Sequence, residues 1–409
     1  MLTKITISGY KSLAQTTAIL GPFTTIVGRN NVGKSNLFDA LHLLSDLSRM
    51  SASEAFKPEN HRGDPIESFF AERDPHISLE AEFDLTGRSL PYPKGEKLSS
   101  SLLIYQVELG FLNNLVVLLS ERLTAQDEQG RMHELISVEP ERTSSLRVVS
   151  TAENGARVRL FSTPMPKSIL TMIDDAELYP YTVLLAEELR SWRFFHLEPE
   201  AMRESSLAMN IMDIEPNGRG LSGVFGTLQQ NAPDRFKLAE QALRRAIPEV
   251  AEIRVLDTGD RRRLLAVVRQ DGREFTARVL SDGMLRFLAL IALAYLPEAP
   301  GLVCFEEPEN GMHPGRLPFV VDLLRGISQR GLEGGRRSQV LVNSHSPYLV
   351  DLLEPDEMLV ASLSRHHETH FASVGHDLFT GRPALKAFLE SDEQTLGELW
   401  SQGSFDGDA

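Results

Sequence analysis

Apolar positions recur in this chain at two periods, and the switches between them mark its elements. Leu2, Ile5 and Ile7 predict one strand and Phe23 to Val27 a second, so residues 2–27 read as two short strands. Gly28 to Ser35 is a tight Gly/Asn loop. Leu37, Leu41, Leu43, Leu44 and Leu47 then follow at helical spacing between Asn36 and Met50. Residues 51–75 are polar, carry Pro58, Pro65 and Pro75, and read as a loop.

Residues 76–162 predict a strand meander. Ile77 to Phe83 alternates, as do Leu103 to Leu109, Leu115 to Leu119 and parts of Val148 to Leu160. Ser168 to Trp192 and Pro233 to Ile247 read as helices, separated by the Gly-rich link Asn217-Gly218-Arg219-Gly220. Strands are expected again around Ile253–Leu256, Arg263–Val268 and Phe275–Val279. The last third alternates apolar strands with helices, an α/β pattern. No internal repeat and no long heptad run appears.

Composition narrows the classes. Of 409 residues, 42% are hydrophobic and 24% charged, which excludes a mostly disordered or collagen-like chain. The single cysteine excludes a disulfide framework or a Cys-rich metal site and fits a reducing compartment. A net charge of -15 argues against a broadly basic nucleic-acid coat, though not against a local basic strip. The apolar run Phe287 to Tyr295 falls short of the roughly 20 residues that span a bilayer. No secretory h-region opens the chain, so no membrane insertion and a cytoplasmic location are expected.

Gly28-Arg29-Asn30-Asn31-Val32-Gly33-Lys34-Ser35 fits G-x-x-x-x-G-K-[ST], between a β-branched strand and a periodic helix. Glycines let such a loop wrap tightly, and its N–H groups with the helix N-terminus face phosphate oxygens. Lys34 would supply a charge to the β and γ phosphates and Ser35 a hydroxyl to Mg²⁺.

Gly301 to Glu307 is an apolar strand ending in two carboxylates, at the strand end where α/β sheets bind ligands. Successive strand residues point to opposite sides, so Glu306 and Glu307 are expected to do different work. Glu306 is placed on the metal, directly or through water, and Glu307 on the attacking water as general base. Ser338 to Asn343 forms another apolar strand ending in Ser344-His345-Ser346-Pro347, which puts His345 within reach of a γ phosphate. Cys304 reads as a small buried hydrophobe.

Together these blocks resemble the ABC-type ATPase heads of the SMC, RecF and Rad50 group. The likeness is greatest to small ATPases related to the OLD family that lack a nuclease domain. Ile5 to Ser12, the Walker A loop 28–35, Leu280-Ser281-Asp282-Gly283-Met284-Leu285-Arg286-Phe287, Phe305 to Pro314 and Asn343 to Pro347 carry the resemblance. It implies an α/β P-loop head with a strand-rich lobe and a helical lobe. The parts are expected at 1–165 (Walker A and strand-rich lobe), 166–250 (helical lobe) and 251–409 (signature, Walker B, D-loop and switch histidine). It further implies an ATP- and Mg²⁺-dependent, slow ATPase. Gly28, Asn30, Asn31, Val32, Gly33, Lys34, Ser35 and Asn36 would bind nucleotide, and Lys34, Glu307 and His345 would act in catalysis. Ser281 and Gly283 would close over the γ phosphate held by the partner in an ATP-sandwiched homodimer. The helix start at Ser281 supports this as a second anion-binding end. Arg286 reads equally as a salt-bridge partner or a catalytic cation. The Q-loop glutamine, sought within 76–110, is not placed; Gln106 is a poor match.

Two outputs compete. In one, dimer closure acts on DNA in repair or phage defence through local basic strips: Arg261–Arg263, Arg244 with Arg245, Arg336 with Arg337, and Lys11. In the other, closure regulates a separately encoded nuclease or toxin, since too little chain follows His345 for a nuclease domain. A transporter subunit is a weaker third reading, opposed by the meander. Leu396 to Trp400 is expected to dock on the chain's own head.

Overall fold

The computed structural model describes residues 1–57, 69–70, 76–86, 100–112, 115–127, 129–140, 145–152, 155–162, 167–298, 300–330, 338–378 and 395–403. In chain order the strands are β1 (Leu2–Tyr10), β2 (Leu13–Ile19), β3 (Phe23–Val27), β4 (His76–Asp84), β5 (Ser100–Leu112), β6 (Leu115–Asp127), β7 (Met132–Pro140), β8 (Ser145–Ala152), β9 (Gly155–Ser162), β10 (Arg193–Phe195), β11 (Ser206–Leu207), β12 (Val250–Asp257), β13 (Arg262–Arg269), β14 (Glu274–Thr276), β15 (Leu302–Glu306), β16 (Gln339–Ser344), β17 (Met358–Leu363) and β18 (Thr369–Ser373). The helices are α1 (Lys34–Asp46), α2 (Ala52–Ala55), α3 (Ile169–Met172), α4 (Pro180–Arg190), α5 (Pro199–Met202), α6 (Leu221–Asn231), α7 (Pro233–Ala246), α8 (Asp282–Tyr295), α9 (Leu317–Ser328), α10 (Pro347–Val350) and α11 (Leu396–Ser401).

A six-stranded sheet, ordered β10-β15-β16-β3-β17-β18, is the centre of the fold. Its strands run parallel except β18. Both faces are covered, so its strands read as continuous apolar runs. Alternation still divides them. Leu302 and Cys304 of β15 join Ile26 and Leu341 in one core, against α1, α4 and the meander. Val303 and Phe305 join Phe23, Val340 and Val342 in a second core, against α6 to α9. Cys304 is fully buried, and burial pushes its thiol well above the usual range, with Glu306 adding to the rise. It is a packing group, as expected.

The meander is an antiparallel eight-stranded sheet, β2-β1-β4-β5-β6-β7-β8-β9. It contains one strand more than the pattern predicted near the N-terminus. β2, rich in threonine, folds back on β1 with Lys4 opposite Ile19 and Tyr10 opposite Leu13. Leu13, Thr16 and Ala18 are buried while Gln15, Thr17 and the apolar Ile19 are exposed, so the apolar signal is thin. A third sheet joins β12, β13 and β14 with the short β11.

The helix expected over Ser168 to Trp192 is two helices. Asp175 Oδ1 accepts the N–H groups of Glu177 and Leu178, which makes a turn. Pro180 then starts α4, because proline suits the first helical turn but not an interior. The expected loop over 51–75 contains α2, whose Ser51 and Glu54 form a reciprocal capping box; its three prolines lie outside the described residues. In α8, Leu285, Phe287, Leu288, Leu290 and Ile291 are all buried, each worth about 1.5–3 kcal/mol in transfer terms. Among the described residues the longest helices run 14 residues, and none is long and apolar enough to cross a membrane. Leu399 is buried against Val27, Val350 and Val360, so the C-terminal helix docks on its own head as expected.

Candidate functional site

The loop after β3 is fixed from behind. Gly33 has φ 91, and a Cβ there would sit 2.1 Å from Thr369 Oγ1 and 2.6 Å from Ser12 Oγ. Those two hydroxyls are 2.6 Å apart, and Thr369 Oγ1 also donates to the Val32 carbonyl at 2.9 Å. Asn36 Nδ2 donates to Ser12 Oγ at 2.8 Å. The turn after β1 and the first residue of β18 thus hold the loop in shape. Helix α1 begins with no side-chain cap and no acid in its first turn, which leaves its leading N–H groups open to an anion. Lys34 Nζ donates to the Gly28 and Arg29 carbonyls at 2.6 and 2.8 Å, folding over its own loop. Burial lowers the Lys34 pKa, and the Glu307 carboxylate opposes that shift.

A cleft of about 710 Å³ opens in front of this loop. Asn30, Asn31, Gly33, Lys34, Ser35 and Asn36 line one side, with Glu306, Glu307, Asn310 and Asn343 across from them. Gly28 and Val32 are not in its lining; Val32 is buried behind the loop.

Glu306, the last residue of β15, and Glu307 after it both line this one cleft. Strand alternation would send them to opposite sides, but Glu307 has φ 46, so the chain leaves the strand before the second side chain is placed. Their partners still differ. His196 Nδ1 lies 2.9 Å from Glu306 Oε2. His345 Nδ1 lies 2.9 Å from Glu307 Oε1, and Asn310 Nδ2 donates to Oε2. The neighbouring Glu309 is buried, which raises its carboxyl pKa, while the Ser344 hydroxyl bonded to it opposes the rise.

His196 escaped the sequence reading. It follows a three-residue strand whose only signal is Phe194-Phe195, yet β10 pairs with β15 and delivers the imidazole beside Glu306. Gln106 lies elsewhere. It sits in β5, donates to Glu80, and no glutamine lines the cleft among the described residues.

Ser281 and Gly283 do not line their own chain's cleft, although Arg286, one turn further along α8, does. Ser281 caps α8 by accepting the Met284 N–H at 3.4 Å. Asp282 adds a carboxylate to that helix end, paired with Arg203 at 2.7 Å. Gly283 has an internal requirement, since a Cβ there would lie 2.3 Å from the Gly311 carbonyl oxygen. Arg286 Nη1 donates to the Asn310 carbonyl at 2.9 Å, so it braces the turn after β15.

Among the described residues, no three His, Cys, Asp or Glu side chains gather to hold a metal by themselves. A hydroxyl and one carboxylate facing a phosphate loop suit Mg²⁺, which is commonly bound through one or two carboxylates and the substrate's own phosphates. Ser35 and Glu306 are therefore a donor set that fits the ion.

Several expected basic strips are engaged within the chain. Lys11 Nζ pairs with Asp39 at 2.8 Å and lies 4.6 Å from the Phe69 ring centre. Arg262 Nε donates to Ser205 Oγ, and Arg244 pairs with Glu240. Arg336 and Arg337 lie outside the described residues.

Residues 139–351 match the family described as AAA domain, putative AbiEii toxin, Type IV TA system, and residues 1–95 match AAA ATPase domain. A 57-residue segment is 46% identical to the Old nuclease of Escherichia phage P2, covering 14% of this chain and 10% of that protein. Among solved structures, an Smc head bound to the C-winged helix domain of ScpA aligns with TM-score 0.55 at 14% identity, over 93% of this chain and 99% of that one. An Smc head from Pyrococcus furiosus with an extended coiled coil, bound to the C-terminal domain of ScpA, aligns with TM-score 0.53 at 12% identity, over 95% and 99%. These likenesses show an SMC-type ATPase head fold with strand-rich and helical lobes, here without a long coiled coil among the described residues. With the first family matched over more than half of its length, the chain belongs to the AAA domains of the putative AbiEii toxin kind, a family whose ATPase domain implies ATP binding.

Proposed function

We propose that the cleft binds ATP with Mg²⁺ and hydrolyses it slowly, and that nucleotide drives two copies of the chain together. The observation that carries this is the convergence on one cleft of Lys34 and Ser35 with Glu306 and Glu307, from segments some 270 residues apart. Loop N–H groups, the α1 N-terminus and Lys34 would hold the phosphates. Mg²⁺, held by Ser35 and Glu306, would offset charge on the β and γ phosphates. Glu307 would take the proton of the attacking water. Each of its oxygens has one partner within the chain, which leaves a lone pair for water. His345 would hold Glu307 in place through Nδ1. Ser281 and Gly283 do not line their own cleft, and we assign them to the nucleotide of a second copy.

The output we favour is a closure that acts on DNA in repair or phage defence, inside the cell. A second reading has its own observation. Lys11, Arg262 and Arg244 of the expected basic strips each have a partner within the chain, which leaves Arg245 and Arg261 as their exposed remainder among the described residues. Closure would then govern a separately encoded nuclease or toxin, in keeping with the toxin–antitoxin description of the family. Phosphate release from ATP by the purified chain, with Mg²⁺ and with EDTA, tests the ATPase reading. Mg²⁺-dependent release absent from Lys34→Ala supports it, and release that Lys34→Ala leaves intact contradicts it. DNA binding over a salt series, with and without ATP, separates the two outputs.

A further inference from the structure

Among the described residues, the Asn343 side chain in the cleft has no hydrogen-bond partner. Asn343 is 3% exposed, and neither its Nδ2 nor its Oδ1 makes a hydrogen bond. It nevertheless lines the cleft. Val340, Leu341 and Val342 before it are fully buried aliphatics. A carboxamide left unpaired at the end of such a strand destabilises the fold relative to another aliphatic residue. A buried polar group in this state points to a ligand that pairs it.

Its place says which ligand. Phe195 is in register with Phe305, so His196 comes beside Glu306, and Glu306 is in register with Asn343. Imidazole, carboxylate and carboxamide therefore form a row across the ends of β10, β15 and β16. The row continues the sheet face of Phe194, Cys304 and Leu341, the face that packs toward α1. His196 orients Glu306 from one side, and Asn343 adjoins it on the other. A carboxamide offers an acceptor and two donors at once. It can meet the water shell of a cation with Oδ1 and a phosphate oxygen with Nδ2, which neither an aliphatic nor an ionised acid can do.

We infer that Asn343 is a positioning residue for the hydrated divalent cation that arrives with a nucleoside triphosphate, and that it completes the row around Glu306. The inference rests on the nucleotide reading of the cleft. The fold tolerates an unpaired amide in the empty state because Mg²⁺ and nucleotide pair it on binding. Asn343 thereby makes part of the nucleotide affinity conditional on the metal.

The experiment measures ATPγS affinity with Mg²⁺ and with EDTA, for the wild type, Asn343→Leu and Asn343→Asp, each checked by apo melting. Asn343→Leu is expected to melt no lower than the wild type and to lose less affinity in EDTA than in Mg²⁺. Its gain in affinity on adding Mg²⁺ should fall about tenfold, the usual cost of losing a group that orients a metal site. Asn343→Asp, which keeps an oxygen at the site, is expected to retain part of that gain. Should leucine prevent folding, Asn343→Ala removes the same carboxamide and is read the same way. A Mg²⁺-dependent gain left intact by removal of the carboxamide overturns this inference alone. A wild type that binds no ATPγS in either condition overturns it together with the nucleotide reading.

Discussion

His345 Nδ1 and Glu307 Oε1 lie 2.9 Å apart, joining the residue after β16 to the residue after β15. Neither side chain is buried: His345 is 45% exposed and Glu307 37%. Their contact is therefore not a demand of the core but an alignment at the mouth of the cleft, where both strand ends meet. Because Glu307 has left the strand with φ 46, the imidazole and Asn310 are what fix its carboxylate.

Replacing His345 with Ala should leave ATP binding intact and lower turnover by about 10²-fold, the scale of a misplaced general base. Stability should change little, because the ring is half exposed. Equal turnover in the variant would remove His345 from the catalytic set.

Lys34→Ala removes the charge aimed at the phosphates. ATP affinity should fall by about tenfold or more, measured by calorimetry. Unchanged affinity would defeat the assignment of the loop.

Ser281→Arg tests the two-copy geometry. Ser281 is exposed and contributes one weak cap, so the monomer should remain folded, with a loss of about 1 kcal/mol. ATP-induced dimerisation, followed by light scattering, should disappear. Gly283→Ala differs, since its Cβ meets the Gly311 backbone. It should lower the melting temperature without ATP, by an overpacking cost of about 1–3 kcal/mol.

Glu121 gives a pH test away from the cleft. Its carboxyl is buried in the meander and accepts from Tyr105, Ser168 and the Ile169 N–H. Burial raises its pKa above the ordinary 4.5, and the three hydrogen bonds oppose the rise. With the folded pKa above the unfolded one, the folded state holds the extra proton. Its stabilising share is therefore full below about pH 4.5 and fades as pH rises through the folded value. Glu121→Gln should lack that segment of the melting-temperature profile. It should also be less stable near pH 4, by about 1–3 kcal/mol, because its amide faces a donor.

Much of this architecture was legible because each part has a local signature. The Gly-rich loop, the leucine-spaced α1, the apolar β15 and β16 with their polar ends, and Ser281 at the start of α8 all sit where their patterns put them. What was hidden depends on contacts between distant segments. β10 is three residues long, and only its pairing with β15 brings His196 to Glu306. The shared cleft of Glu306 and Glu307 depends on one left-handed residue that strand periodicity does not encode. Lys11 and Arg262 looked like free cations because Asp39 and Ser205 lie 28 and 57 residues away.

The central claim is that Glu307 activates water in a cleft that ATP closes with a second copy of the chain. Glu307→Gln keeps the shape and removes the base, so one experiment reads both halves: ATP turnover and molecular mass in the same Mg²⁺–ATP solution. Glu307→Gln should retain ATP binding, turn over at least about 10²-fold more slowly, and form a longer-lived dimer. Turnover at the wild-type rate, or a variant that stays monomeric while bound to ATP, would contradict the claim.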